Sequence, residues 1–239
     1  MKTIKILHMY YDIMNLYGEN ANIRVLERKL EEQGLKVSID YLSIEDKVKI
    51  SDYDFIYIGS GTEMYQRLVL GNIMKYKDDF VKAIDDNKYI LVTGNALELF
   101  GKSIQYNDMD KLDALGIFDF YAKEATPRII KDQLYECDII PDKILGFQNH
   151  SNEIFDMDSN LFRVISGNGF NRESDKEGIR KNNFFGTYLV GPLLVRNPKL
   201  TDYIVKDICE KLDVKYKEPD TNEVMYRAHD EFIKNIYEK

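Results

Sequence analysis

The chain has two textures. In the first half, short unbroken apolar runs alternate with stretches whose apolar residues recur every three or four positions. "TIKILHMY" (3–10) is one such run, and "GENANIRVLERKLEEQG" (18–34) follows with Ile23, Leu26 and Leu30 on one helical stripe. Gly34 stands where that helix should stop, because glycine readily takes the left-handed turn that ends helices. "KVSIDYLSI" (36–44) reads as a strand, and "DFIYIGSG" (54–61) as an apolar strand closing on glycines. The stretch "RLVLGNIMKYKDDFVKAIDDN" (67–87) has helical spacing, with a break expected near Gly71. "KYILVTG" (88–94) is a second glycine-closed strand and leads into an expected helix, "NALELFG" (95–101). Strands alternating with helices predict a mostly parallel central sheet with helices on both faces, a three-layer α/β fold.

The second half is richer in β-type runs. "GIFDFYAK", "RIIKDQLYE", "KILGFQNHSNEIF", "LFRVIS" and "NNFFGTYLV" follow one another closely and predict added strands on the same sheet. The polar stretch "SGNGFNRESDKEG" (166–178) reads as a surface loop. "PKLTDYIVKDICEKL" predicts a helix, and the chain ends on an amphipathic segment expected as a helix over 221–239. No stretch has the Pro, Gly or Ser content of a linker, so the expectation is one domain over residues 1–239.

Composition narrows the chemistry. The 239 residues carry a net charge of -8 without a basic stripe, which argues against nucleic acid. No apolar run reaches the roughly 18 residues that a membrane-spanning helix needs, and the start does not read as a signal peptide, so a cytoplasmic protein without membrane insertion is expected. Cys137 and Cys209 have neither zinc-ligand nor disulfide-framework spacing. They read as buried structural thiols, with no metal and no cofactor expected.

The candidate site lies where the glycine-ended strands meet. In open parallel sheets ligands sit beyond the carboxyl ends of the strands, so "GSGT" (59–62) and "TGNA" (93–96) should be neighbours. Gly59, Ser60, Gly61 and Asn95 could cradle an anion or oxyanion through backbone N–H groups, or simply make tight turns. "YILVTGNALELFG" has the form of the strained strand-to-helix elbow that presents a nucleophile in many hydrolytic enzymes, but its tip is Gly94, which has no side chain. Thr93 and Asn95 flank the tip and should point elsewhere. Of the three histidines, His8 reads as structural and His229 as surface or packing, whereas His150 in "FQNHS" is open between site and scaffold. Glu63 and Glu98 read as acids of first helical turns.

Several ordered motifs carry a family resemblance. "YYDIMNLYGENANIRVLERKLEEQGLKV", "IGSGTEMYQ" with Gly59, Gly61 and Gln66, "GFQNHSNEIF" and "NNFFGTYLVGPLLVRNPKL" resemble class I glutamine amidotransferases of the cobyric acid synthase-like group. Within that group the resemblance is to the glutaminase subunits of lipid II isoglutaminyl synthases. It implies a flavodoxin-like fold and a hetero-oligomer with a Mur-ligase-like subunit that amidates cell-wall precursors. It also implies that Arg128 in "TPRII" contacts a glutamine-like ligand, for which a guanidinium suits the α-carboxylate; a plain surface charge is the alternative. The pattern departs from the family at two places. Gly94 stands where the family's elbow has its nucleophilic Cys, and Val190 stands where "GTYL-His-GPLL" has its base. The expected function is therefore a catalytically degenerate amidotransferase-like subunit. An active glutamine hydrolase using an unfamiliar group, or a small-ligand module with an enlarged pocket, remain the alternatives.

Overall fold

The computed structural model describes residues 2–158 and 161–237. In chain order its strands are β1 (Thr3–Met9), β2 (Lys36–Leu42), β3 (Phe55–Ile58), β4 (Tyr89–Thr93), β5 (Ser103–Gln105), β6 (Leu112–Asp113), β7 (Tyr121–Cys137), β8 (Lys143–Phe155), β9 (Phe162–Ser166), β10 (Lys176–Glu177), β11 (Ile179–Lys181) and β12 (Phe184–Thr187). The helices are α1 (Asn20–Glu32), α2 (Glu63–Ile73), α3 (Lys77–Asp85), α4 (Leu193–Arg196), α5 (Pro198–Lys211) and α6 (Val224–Ile236).

The central sheet has the order β11-β12-β4-β3-β1-β2, parallel throughout except for the β11–β12 pair. Its strands are apolar runs because both faces are covered. Alternate side chains divide between two cores: Ile56, Ile58, Ile90 and Val92 meet α2 and α3, while Phe55, Tyr57, Tyr89 and Leu91 meet α1 and α5. The three-layer α/β architecture expected from the pattern is therefore present.

The added strands differ from expectation. Only β11 and β12 extend the parallel sheet; β7, β8 and β9 build a second sheet of order β10-β9-β7-β5-β6, with β8 paired to β7. The long antiparallel β7–β8 hairpin shifts register between Glu124 and Ile129. Such an irregularity turns side chains away from the ladder, and Arg128 lies in it.

Three local expectations are also corrected. The helical break falls at residues 74–76 rather than at Gly71. Residues 166–178 are not merely a surface loop, because Phe170 and Glu177 are buried within them and β10 pairs with β9. The terminal helix starts at Val224 and ends at Ile236, shorter than the expected 221–239, whose last two residues lie outside the described residues. No helix of the described residues is long and apolar enough to cross a membrane.

Candidate active site at the Gly94 elbow

β4 ends at Thr93 in extended backbone, and Gly94 turns the chain with φ +62°. That left-handed value favours glycine because a Cβ crowds the following backbone. The segment after it is a seven-residue 3-10 helix, Gly94–Phe100, not the α-helix expected, and all seven residues are buried. Runs of 3-10 geometry this long are uncommon. This one is held by side-chain bonds to segments on both sides.

The two glycine turns are neighbours, as the sheet topology required. Asn95 joins them: its Nδ2 donates to Gly61 O at 2.9 Å, and its Oδ1 accepts from Gly61 N at 3.0 Å and from Ser60 Oγ at 3.2 Å. The Gly61 N–H is thus already spent on Asn95. Gly59 and Gly61 also let the 13–19 loop approach, since a Cβ on either would meet Met14 atoms at 2.5 Å.

Above the elbow, Gly94 faces Val190. A Cβ on Gly94 would meet Ser60 Cβ and Oγ at 2.5 Å and Val190 Cγ1 at 2.8 Å. Val190 is itself fixed, its N–H donating to Phe147 O at 2.9 Å. No enlarged pocket opens over Gly94, because Ser60 and Val190 occupy that space.

A buried acid ties the two positions together. Glu19 is fully buried; its Oε1 accepts from Gly191 N at 2.9 Å, and its Oε2 accepts from Tyr57 OH at 3.0 Å and from the Thr93 hydroxyl. Burial raises its pKa, opposed by hydrogen bonds from Thr93, Gly191 and Tyr57. Sequence reasoning gave Glu19 no role, and only its place inside the "YYDIMNLYGENANI" segment could have marked it.

Beside the elbow lies a cleft lined by Glu63, Gln66, Asn95, Glu98, Arg128, Asn149, His150, Ser151 and Asn152, with no space left between them for a water. Thr62 caps α2 by accepting from Tyr65 N, which sets Glu63 in the first helical turn. Glu63 also binds Arg128 there, and Arg128 Nε donates to Asn149 Oδ1 at 2.5 Å. Arg128 is therefore half-buried and internally paired rather than a free surface charge.

Glu98 is corrected as well. It is no exposed first-turn acid but a fully buried carboxylate that accepts from Asn152 Nδ2 at 2.6 Å, Gln66 Nε2 at 2.8 Å and Tyr188 OH at 3.1 Å. Burial pushes its pKa up to about 7 against the pull of those three donors.

His150 is buried and stacks on Tyr188 with ring centroids 3.8 Å apart, and its Nδ1 lies 2.5 Å from Asn152 O. Burial holds its pKa down at about 4, so the ring is neutral. Its Nε2 has no hydrogen-bond partner among the described residues, so His150 is paired with no hydroxyl or thiol there. Thr93 is fully enclosed, His8 is buried beside Tyr57, and His229 is buried with its Nε2 2.9 Å from Lys143 O. Both cysteines are buried. Among the described residues no three His, Cys, Asp or Glu side chains gather to hold a metal ion.

Residues 5–198 match the model of the CobB/CobQ-like glutamine amidotransferase domain. The chain belongs to that family. It is 32% identical over 217 residues to the lipid II isoglutaminyl synthase (glutamine-hydrolyzing) subunit GatD of Staphylococcus aureus, covering 91% of this chain and 89% of that protein. It is 29% identical over 211 residues to the GatD subunit of Streptococcus pneumoniae, covering 87% and 81%. A glutamine amidotransferase of Thermotoga maritima shares the fold at 12% identity with a TM-score of 0.54, covering 97% of this chain and 92% of that one. The chain thus has the fold of its glutamine amidotransferase relatives, and its own elbow after β4 has a tip, Gly94, that bears no side chain.

Proposed function

We propose that this protein is a catalytically degenerate amidotransferase-like subunit, acting in the cytoplasm as one domain over residues 1–239. It would dock to a Mur-ligase-like partner in cell-wall precursor amidation. The similarity to GatD subunits over most of both chains supports the assembly. The observation that carries the degeneracy is the Gly94–Val190 apposition: the elbow keeps its left-handed bend, yet neither position has a side-chain group that can donate, accept or attack. Acyl transfer by this family's route needs a thiol and a base within hydrogen-bond reach. Members of such sets act as a unit, and removing them costs about 10⁶-fold, leaving roughly 10³- to 10⁴-fold over water from the remaining groups.

The cleft beside the elbow is closed as it stands, so recognition there requires the Glu63–Arg128 pair to open. In this reading Arg128 and His150 would meet a glutamine-like ligand once Glu63 releases Arg128. Gly59, Ser60, Gly61 and Asn95 would form the floor. The packed space over Gly94 speaks against a bulkier ligand there.

The test is ammonia release from glutamine by purified protein, alone and with its Mur-ligase-like partner. Background rates are expected, unchanged by His150→Ala or Thr93→Ala. Turnover well above background would overturn the degeneracy. Recovery from native cells only as a free monomer would overturn the docking.

A further inference from the structure

A separate cavity of about 280 Å³ opens at the carboxyl end of β1, lined by His8, Tyr11, Asn20, Arg24 and Tyr41. Its position is suggestive on topology alone. It lies within the β1–α1–β2 unit, at the carboxyl ends of β1 and β2, the edge of a parallel sheet where ligands sit.

The interior is polar and unsatisfied. His8 is fully buried, yet neither ring nitrogen has a hydrogen-bond partner among the described residues, and Asn20 Oδ1 also lacks one. Buried polar atoms are nearly always paired, and each unpaired one costs about 1–3 kcal/mol. Burial, helped by the charge of Arg24, pushes the His8 pKa down to about 4. The neutral ring presents one N–H donor and one lone pair.

The mouth is aromatic and cationic. Tyr11 and Tyr41 stand edge to face with centroids 5.2 Å apart, and each is more than a third exposed. The Arg24 side chain is 70% exposed and pairs with Glu27 at 3.6 Å. A surface pair of this kind is worth little and exchanges readily for a ligand's anion.

We infer that this cavity binds a planar heterocycle carrying an anionic group, with the chemistry of a nucleoside monophosphate. With the exposed Tyr11 and Tyr41 rings turned aside from His8, the heterocycle's donor and acceptor edge meets His8 and Asn20, its flat face lies on a tyrosine, and its anion reaches Arg24. A bare anion would use Arg24 alone and leave the buried atoms unpaired. The volume sits near the small end of ligand pockets, roughly 300–1,000 Å³, which places the base inside and the phosphate at the mouth. The inference does not depend on the chemistry at Gly94.

The experiment titrates the full-length protein with uridine monophosphate and adenosine monophosphate, followed by calorimetry and by the His8 ring resonances in NMR. Inorganic phosphate and ribose 5-phosphate serve as controls. Saturable binding of at least one nucleotide is expected, with a shift of the His8 signals and at least about tenfold weaker binding of both controls. His8→Phe keeps a ring against Tyr57 and removes only the two unpaired nitrogens. It should weaken binding about tenfold or more while leaving the unfolding midpoint equal or higher. Arg24→Ala should weaken binding similarly and flatten its salt dependence. Absence of saturable binding by either nucleotide up to its solubility overturns the inference. So does equal binding of ribose 5-phosphate, or indifference to both substitutions.

Discussion

Val190 Cγ1 stands 2.8 Å from the point a Cβ on Gly94 would occupy. The two positions proposed as vacated are thus in direct apposition, across a gap already closed by packing. Restoring a side chain at one position must therefore disturb the other. Gly94→Cys should destabilise the fold by about 1–3 kcal/mol, from the left-handed backbone and from overpacking against Ser60 and Val190. Adding Val190→Ala should recover part of the loss. A double-mutant cycle in urea should return a favourable coupling on the order of 1 kcal/mol; strict additivity would show that the positions do not share space.

The Arg128–Glu63 pair sets the second prediction. Arg128 is the guanidinium proposed to meet a ligand carboxylate, but Glu63 already supplies a carboxylate to it. The intact protein should bind glutamine weakly or not at all in calorimetry. Glu63→Ala should expose Arg128 and strengthen binding by about tenfold or more, and adding Arg128→Ala should remove the gain. Glu63→Ala without a gain would mean that the internal pair is not what blocks the ligand.

Features set by local sequence were legible before the structure was known. The β4 run and the turn at Gly94 needed only an unbroken apolar stretch and a residue that tolerates positive φ. Pairing across distance was not legible. Glu98 looked like an acid of a first helical turn because its partners Gln66, Asn152 and Tyr188 come from three other segments. His150 stayed undecided because the ring that covers it belongs to Tyr188, 38 positions on. The second sheet was misassigned because antiparallel strands carry no mark of which sheet they join. The pairing of β7 with β5 and β9 shows it.

Two buried acids make stability depend on pH. Glu98 and Glu177 are fully buried, and desolvation raises both from 4.5 to about 7. The native state therefore holds protons that the unfolded chain has lost between those values. Their contribution is fully present below about pH 4.5 and is lost as pH rises through about 7, by up to roughly 3 kcal/mol each. His8 and His150 act in the opposite sense, because their pKa values fall from 6.5 to about 4. Their contribution is present above pH 6.5 and lost as pH falls through about 4, which flattens the wild-type profile. The carboxylate part is isolated by comparing wild type with Glu98→Gln and Glu177→Gln. The wild type should gain stability relative to each variant as pH falls from 7 to 4.5. A difference constant over that range would mean the carboxyls are not raised.

Glu19 provides the last test, because it binds the residue before Gly94 and the residue after Val190 at once. Its carboxylate accepts from the Thr93 hydroxyl, Tyr57 OH and Gly191 N, with no solvent contact. A buried acid is costly to keep, and here it holds the end of β4 to the loop after β12. Glu19→Ala leaves a cavity and deprives three donors of their acceptor, so a loss of about 3–5 kcal/mol is expected. Glu19→Gln preserves the shape and one acceptor oxygen, but turns an NH₂ toward a donor, and should cost less than alanine. Chemical denaturation of the two variants separates these outcomes. An alanine cost below about 1 kcal/mol would show that the bend at Gly94 is held by local backbone preference alone. The expected larger cost would mean that the elbow is kept by a long-range polar tie, independent of any nucleophile at its tip.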